Sequence, residues 1–155
     1  MKIITLIYSI ICFFSIHSIS QTSTGKSIED QMIEKINNYR TSRKLGKLQK
    51  DSIICVAAIA IASCNAKQSD LSHTCNGTFC KRLKAINYVG AENLTTYSTV
   101  EEAFQAWLKS PSHHANMIRK EDLYIGIAFV SGKKQNVWSM IAGTPNCEDC
   151  QIECR

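Results

Sequence analysis

The stretch AWLKSPSHHANMI, Ala106 to Ile118, both stops a helix and starts a turn. Pro111 excludes Ser110 from helical geometry, so a helix arriving from the N-terminal side must end there. That helix is well marked. Val100, Ala103, Phe104, Trp107 and Leu108 fall at i, i+3, i+4, i+7 and i+8, a single apolar stripe, and Ser98 with Glu101 reads as a capping box at its start. Beyond the proline, Ser112 is placed to cap a new turn that Asn116 anchors. Successive helical residues point about 100° apart. A turn that aims His113 inward therefore sends His114 elsewhere, toward solvent.

Working outward, LYIGIAFV (Leu123 to Val130) and NVWSMIAG (Asn136 to Gly143) read as two strands joined by the turn sequence SGKKQ, and YVGAENL (Tyr88 to Leu94) as a short extended piece. Upstream, Ser27 caps a first helix with Asp30 three positions later. Its stripe of Ile28, Met32, Ile33, Ile36 and Tyr39 runs to about Arg43, and Gly46 stops it. A second helix begins near Asp51 and passes through IICVAAIAIA, Ile53 to Ala62. With no polar side chain in that run, it is expected to be a buried central helix. A short third helix fits FCKRLKAI, Phe79 to Ile86. Helices on a small, mostly antiparallel sheet make an α+β fold, and no repeat or linker divides it.

The 155 residues, 45% hydrophobic and 20% charged, are enough for one self-sufficient core. The first twenty stand apart: Lys2, an apolar run from Ile3 to Ile16, then small residues at Ser18 and Ser20. This is the pattern of a secretory signal peptide, residues 1–20, and the run is too short to span a bilayer. The domain is then residues 21–146 and a cysteine-rich tail 147–155, with no transmembrane segment in the mature chain. The expected location is secreted, extracellular or periplasmic. Since Lys2 is the only charge in the leader, the mature chain keeps 17 basic and 13 acidic residues, a net +4. Its lysines, such as Lys44, Lys47, Lys50, Lys133 and Lys134, lack interleaved aromatics, which argues against nucleic acid as a partner.

Seven cysteines remain after the leader: Cys55, Cys64, Cys75, Cys80, Cys147, Cys150 and Cys154. In an oxidising compartment most pair, and the odd count leaves one over. Cys55 and Cys64 lie nine residues apart, on opposite faces of one helix, so they do not pair with each other. Cys55 is the expected free, buried thiol. The tail spacing resembles a zinc knuckle, but export favours disulfides. One set ties the tail to the Cys64, Cys75 and Cys80 region, and spacing alone leaves the pairing open. Of two glycosylation sequons, Asn76-Gly-Thr is the expected acceptor, because Asn93-Leu-Thr falls in a segment expected to be partly buried.

The three mature histidines, His73, His113 and His114, lie outside every apolar stripe, so core packing does not account for them. Either they are separate loop residues or their segments converge. Here INNYR (Ile36 to Arg40), LSH (Leu71 to His73), GAENL (Gly90 to Leu94), AWLKSPSHHANMI and YIGIAF (Tyr124 to Phe129) resemble, in this order, the signature of the CAP superfamily. That group contains cysteine-rich secretory proteins, venom antigen five, plant pathogenesis-related proteins and many short bacterial members. The likeness covers about residues 28–143. It implies a three-layer α-β-α sandwich whose cleft gathers His73, Glu92 and His113, with Asn93, Asn116 and Ser110 as supporting motif residues. Animal and plant members carry a second glutamate where this chain has Ser110, and arginine is frequent where His114 stands. The implied cleft is thus of the reduced, bacterial kind.

Two neutral imidazoles and a carboxylate, His73 and His113 with Glu92, suit a divalent metal such as zinc, with the two histidines as its imidazole ligands and open positions for water or a small ligand. The resemblance implies a binding or interaction module whose partner is a lipid, small molecule or protein, rather than an enzyme. The alternative is a metal-dependent, peptidase-like hydrolase using His73, Glu92 and His113. Against it, the chain has no H-E-x-x-H run and no second glutamate to act as base once Glu92 is a ligand. A serine triad is disfavoured because Ser112 and His113 are adjacent and diverge on a helix.

Overall fold

A computed structural model describes residues 25–146. The proposed leader and the tail 147–155 lie outside the described residues. In chain order the elements are α1 (Ile28–Ser42), β1 (Gln49–Lys50), α2 (Ser52–Asn65), α3 (Phe79–Ala85), β2 (Tyr88–Thr95), α4 (Val100–Lys109), α5 (Pro111–Met117), β3 (Tyr124–Ser131) and β4 (Asn136–Pro145). The sheet runs β1-β3-β4-β2. Only β1, pairing parallel with β3, departs from antiparallel.

Strand alternation divides the core into two layers. On one face Ile125 and Ile127 of β3 and Trp138, Met140 and Ala142 of β4 meet Met32 and Ile36 of α1, Phe104 and Trp107 of α4 and Met117 of α5. On the other, Ala128, Val137 and Ile141 meet Ile54, Ala58 and Ala62 of α2 and Leu83 of α3. The result is the α-β-α sandwich. On the second face α2 sits unusually close. A Cβ at Gly126 would lie 2.5 Å from the backbone nitrogen of Cys55, and one at Gly132 would strike Ala66 O. Only glycine permits that approach.

Several local expectations shift. Ser27 accepts from the Asp30 amide, so that cap lies where the sequence puts it, and the helix expected to begin near Asp51 is capped by Asp51, which accepts from the Ile54 amide. The α4 capping box, however, is Thr99 with Glu102 rather than Ser98 with Glu101, one residue later. Helix α1 ends at Ser42, well before Gly46, with Arg43 as its C-cap and Lys44 taking a left-handed φ of 62° just beyond. Helix α2 is not buried all round: Ile54, Ala58, Ile61 and Ala62 are sealed, but Ile53, Val56 and Ile59 are 50%, 66% and 50% exposed. The sheet covers one side of α2, and among the described residues no second layer covers the other.

The cysteines also depart from expectation. Cys64 pairs with Cys75 across 6.0 Å between Cα atoms, closing a local loop instead of reaching the tail. Cys80 is disulfide-bonded as well. Cys55 is free, as read, but half-buried rather than buried.

Candidate functional site

The edge strand β2 carries Glu92 and Asn93 side by side, and the segments that bear His73 and His113 are fastened to them. Glu92 is buried, with its side chain 2% exposed. A buried carboxylate must be paired, and both oxygens are engaged. Oε1 lies 2.8 Å from His73 Nδ1, and Oε2 lies 2.6 Å from Arg82 Nη2. Arg82, 10% exposed, comes from α3. Its other terminal nitrogen donates to the carbonyls of His73 at 2.8 Å and Cys75 at 3.3 Å and to that of Gly77. One guanidinium thus holds the glutamate and the loop that bears the histidine.

That loop is fixed from behind as well. Asn65, buried at the end of α2, accepts from the Ser72 amide at 2.7 Å and donates to Ser72 O at 3.1 Å, while the Cys64–Cys75 bridge closes the same segment. The His73 ring projects outward, 53% exposed. With Nδ1 on the carboxylate as donor, Nε2 is left as the free lone pair of the neutral ring.

His113 arrives from the other side of β2. Asn93, fully buried, donates to His113 O at 2.9 Å, and Asn116 donates to Asn93 Oδ1 at 2.9 Å and to Glu92 O at 3.2 Å. These amides fasten α5 to β2. From beneath, Arg40 donates through Nη1 to Met117 O and Arg119 O, each at 2.9 Å, and through Nε to Gly46 O at 2.8 Å. Pro111 occupies the first position of α5. Ser110, not Ser112, is the residue before it, and it makes no side-chain cap bond. Its Oγ lies 3.3 Å from Ser112 Oγ. Burial pushes the half-buried His113 imidazole below its ordinary range, and the nearby His73 ring pushes the same way.

His114 points away from the cleft, as its position on the turn requires, but it is half-buried rather than exposed. Its Nε2 lies 2.8 Å from Tyr39 Oη, with the rings 5.7 Å apart. Asn93, as expected, is sealed against modification, and Asn76 is exposed.

Sequence reasoning missed Arg40 and Arg82 as site builders. Arg40 left a signal, since an arginine at i+4 from Ile36 continues a buried stripe. Arg82 left none that separates it from its neighbours Lys81 and Lys84.

The donor set decides what the cleft can hold. Among the described residues no three imidazole, thiol or carboxylate groups converge as a metal cage. The three-ligand set with Glu92 does not form, because that carboxylate is fully committed to His73 and Arg82. Were a divalent ion held here, His73 and His113 would be its imidazole ligands, with water or a bound ligand completing its coordination. Glu92 would then orient a ligand instead of being one.

A model of the cysteine-rich secretory protein family matches residues 33–142. The chain belongs to the CAP family. The five motif segments all fall within that match, which runs from within α1 to within β4. Among solved structures, CAP relatives resemble it in fold. An outer surface protein from Borrelia burgdorferi superimposes with a TM-score of 0.69 at 21% identity, covering 75% of this chain and 91% of that one. An extracellular SCP-domain protein from Bacillus anthracis gives 0.60 at 24% identity, over 72% of this chain and 39% of the other. Venom allergen-like protein 4 of Schistosoma mansoni gives 0.53 at 16% identity, over 81% and 91%. No match was found among curated protein sequences. CAP proteins are typically extracellular, and no helix among the described residues is long and apolar enough to cross a membrane.

Proposed function

We propose that this CAP protein is exported after loss of residues 1–20 and works as a binding module. Its cleft takes a divalent metal or small polar ligand between His73 and His113. The observation that carries this reading is the saturation of Glu92. With Oε1 on His73 Nδ1 and Oε2 on Arg82, the carboxylate fixes the His73 tautomer and leaves Nε2 directed outward. A carboxylate behind a histidine is a common second partner in metal sites, where it raises ligand basicity. The lowered proton affinity of His113 favours the same use, because a neutral imidazole binds ligands at neutral pH. A bound metal would supply Lewis acidity to whatever ligand completes its coordination. The chain's own residues hold and orient: Arg82 and Glu92 set His73, and Asn93 and Asn116 set His113. The hydrolase alternative is disfavoured because both Glu92 oxygens are already engaged, by His73 and Arg82.

Calorimetric titration of zinc into the purified protein tests the proposal. Saturable binding is expected, about tenfold or more weaker after either His73→Ala or His113→Ala. It should also weaken after Glu92→Gln, which keeps the shape but loses the charge. Absence of binding, or binding indifferent to both alanine variants, overturns it. A chelator-sensitive peptidase activity would instead restore the hydrolase reading.

A further inference from the structure

The pairing of β1 with β3 stops early and leaves a strand edge open. Gln49 N–H donates to Leu123 O at 2.8 Å and Asp51 N–H to Ile125 O at 3.0 Å. Odd-numbered residues of β3 therefore turn their peptide groups toward this edge. After Asp51 the chain leaves into α2. Ile127, Phe129 and Ser131 continue the row. The Ile127 backbone hydrogen-bonds the Cys55 thiol. Among the described residues, Phe129 and Ser131 have no backbone partner on that side. An uncovered edge is a template for another strand.

A groove runs beside it. The first part, about 380 Å³, has Cys55 and Ile59 of α2 on one wall and Ile127 to Val130 on the other. The second, about 660 Å³, shares Val130 and continues past Ala66 to Lys67, Lys133 and Lys134. The edge from Gly126 to Ser131 spans about 20 Å, enough for a short strand. The two ends differ in charge. Lys50 at the near end is bound to Asp30 at 2.7 Å, whereas Lys67, Lys133 and Lys134 at the far end are in no ion pair among the described residues. A lipid chain could fill the apolar part, but it offers nothing to a row of unpaired peptide groups, each of which needs a donor or acceptor.

We propose that this edge captures an extended peptide as an added strand, parallel to β3 as β1 is. Apolar side chains at alternate positions fill the space between Ile59 and Phe129, and an acidic C-terminal end meets Lys67, Lys133 and Lys134. Main-chain bonds hold the peptide, the apolar groove selects its side chains and the lysines set its direction.

The test is fluorescence anisotropy with a labelled Thr-Val-Thr-Val-Asp-Asp peptide bearing a free carboxylate, together with amide exchange at Phe129 and Ser131. Those two amides exchange fast in the free protein and slow down in the complex. Binding weakens at least about tenfold when alternate peptide amides are N-methylated, and again when Lys133→Glu and Lys134→Glu are combined. The proposal is overturned by no saturation at about millimolar peptide or by equal binding of the methylated peptide. It is also overturned by slow exchange of both amides in the free protein, whether residues upstream of Gly25 or a second copy of the chain covers the edge.

Discussion

The two segments that carry His73 and His113 are built by different chemistry. The His113 turn rests on a lattice of neutral amides, Asn93 and Asn116, with Arg40 wholly buried below it and donating to three carbonyls. The His73 loop rests on a covalent bridge and a largely buried ionic clamp, Cys64–Cys75 and Arg82–Glu92. The first is an extension of the core. The second is held in place by a covalent constraint that redox state can reach. In the proposed cleft, one wall would then share the stability of the fold and the other could loosen by itself.

Arg40 offers the strongest way to break this contrast. Arg40→Met keeps most of the packing but strips three carbonyl partners of their donor, and is expected to destabilise the protein by about 3–4 kcal/mol. A shift of the urea midpoint reads it, with exchange protection lost in α5 along with α1. A midpoint near that of wild type would mean that the turn does not share the core's stability. Cys75→Ser comes next. Opening a bridge across 11 residues is expected to reduce stability by about 2–3 kcal/mol. Faster amide exchange should stay confined to residues 66–78 while α5 keeps its protection. If α5 loosens equally, the two walls form one cooperative unit and the comparison fails.

Much of this was legible in the sequence because the relevant forces act over short distances. Helix-cap chemistry gave Ser27, and the start of an apolar run placed a helix near Asp51. The stop at Pro111 and the apolar stripe gave α4, and two β-rich runs joined by a turn sequence gave β3 and β4. Ordered motifs named His73, Glu92 and His113 without fixing what each touches. Two kinds of fact escaped. A uniformly apolar run such as Ile53 to Ala62 shows what a helix can bury but not how many layers surround it, so the exposure of Val56 had no local signature. Long-range ionic partners behave the same way. Arg82 and Glu92 are ten positions apart on different elements, and only their packing turns an expected ligand into an orienting group. The two-residue β1 was too short to carry a period at all.

The smallest expected effect separates the walls by proton instead of by denaturant. Burial and the His73 ring hold the folded-state affinity of His113 for a proton below its ordinary value of 6.5. Above that value both folded and unfolded chains carry a neutral His113, and the residue leaves stability independent of pH. As the pH falls through about 6.5 the unfolded chain takes up the proton first, so stability declines until the folded form also protonates. His113→Gln keeps a polar group in the turn and removes the proton, so its urea midpoint should fall less than that of wild type between pH 7.5 and pH 5.5. If the two midpoints fall in parallel, His113 is as solvated as a surface imidazole, and the core-like character assigned to its wall of the cleft would have to be withdrawn.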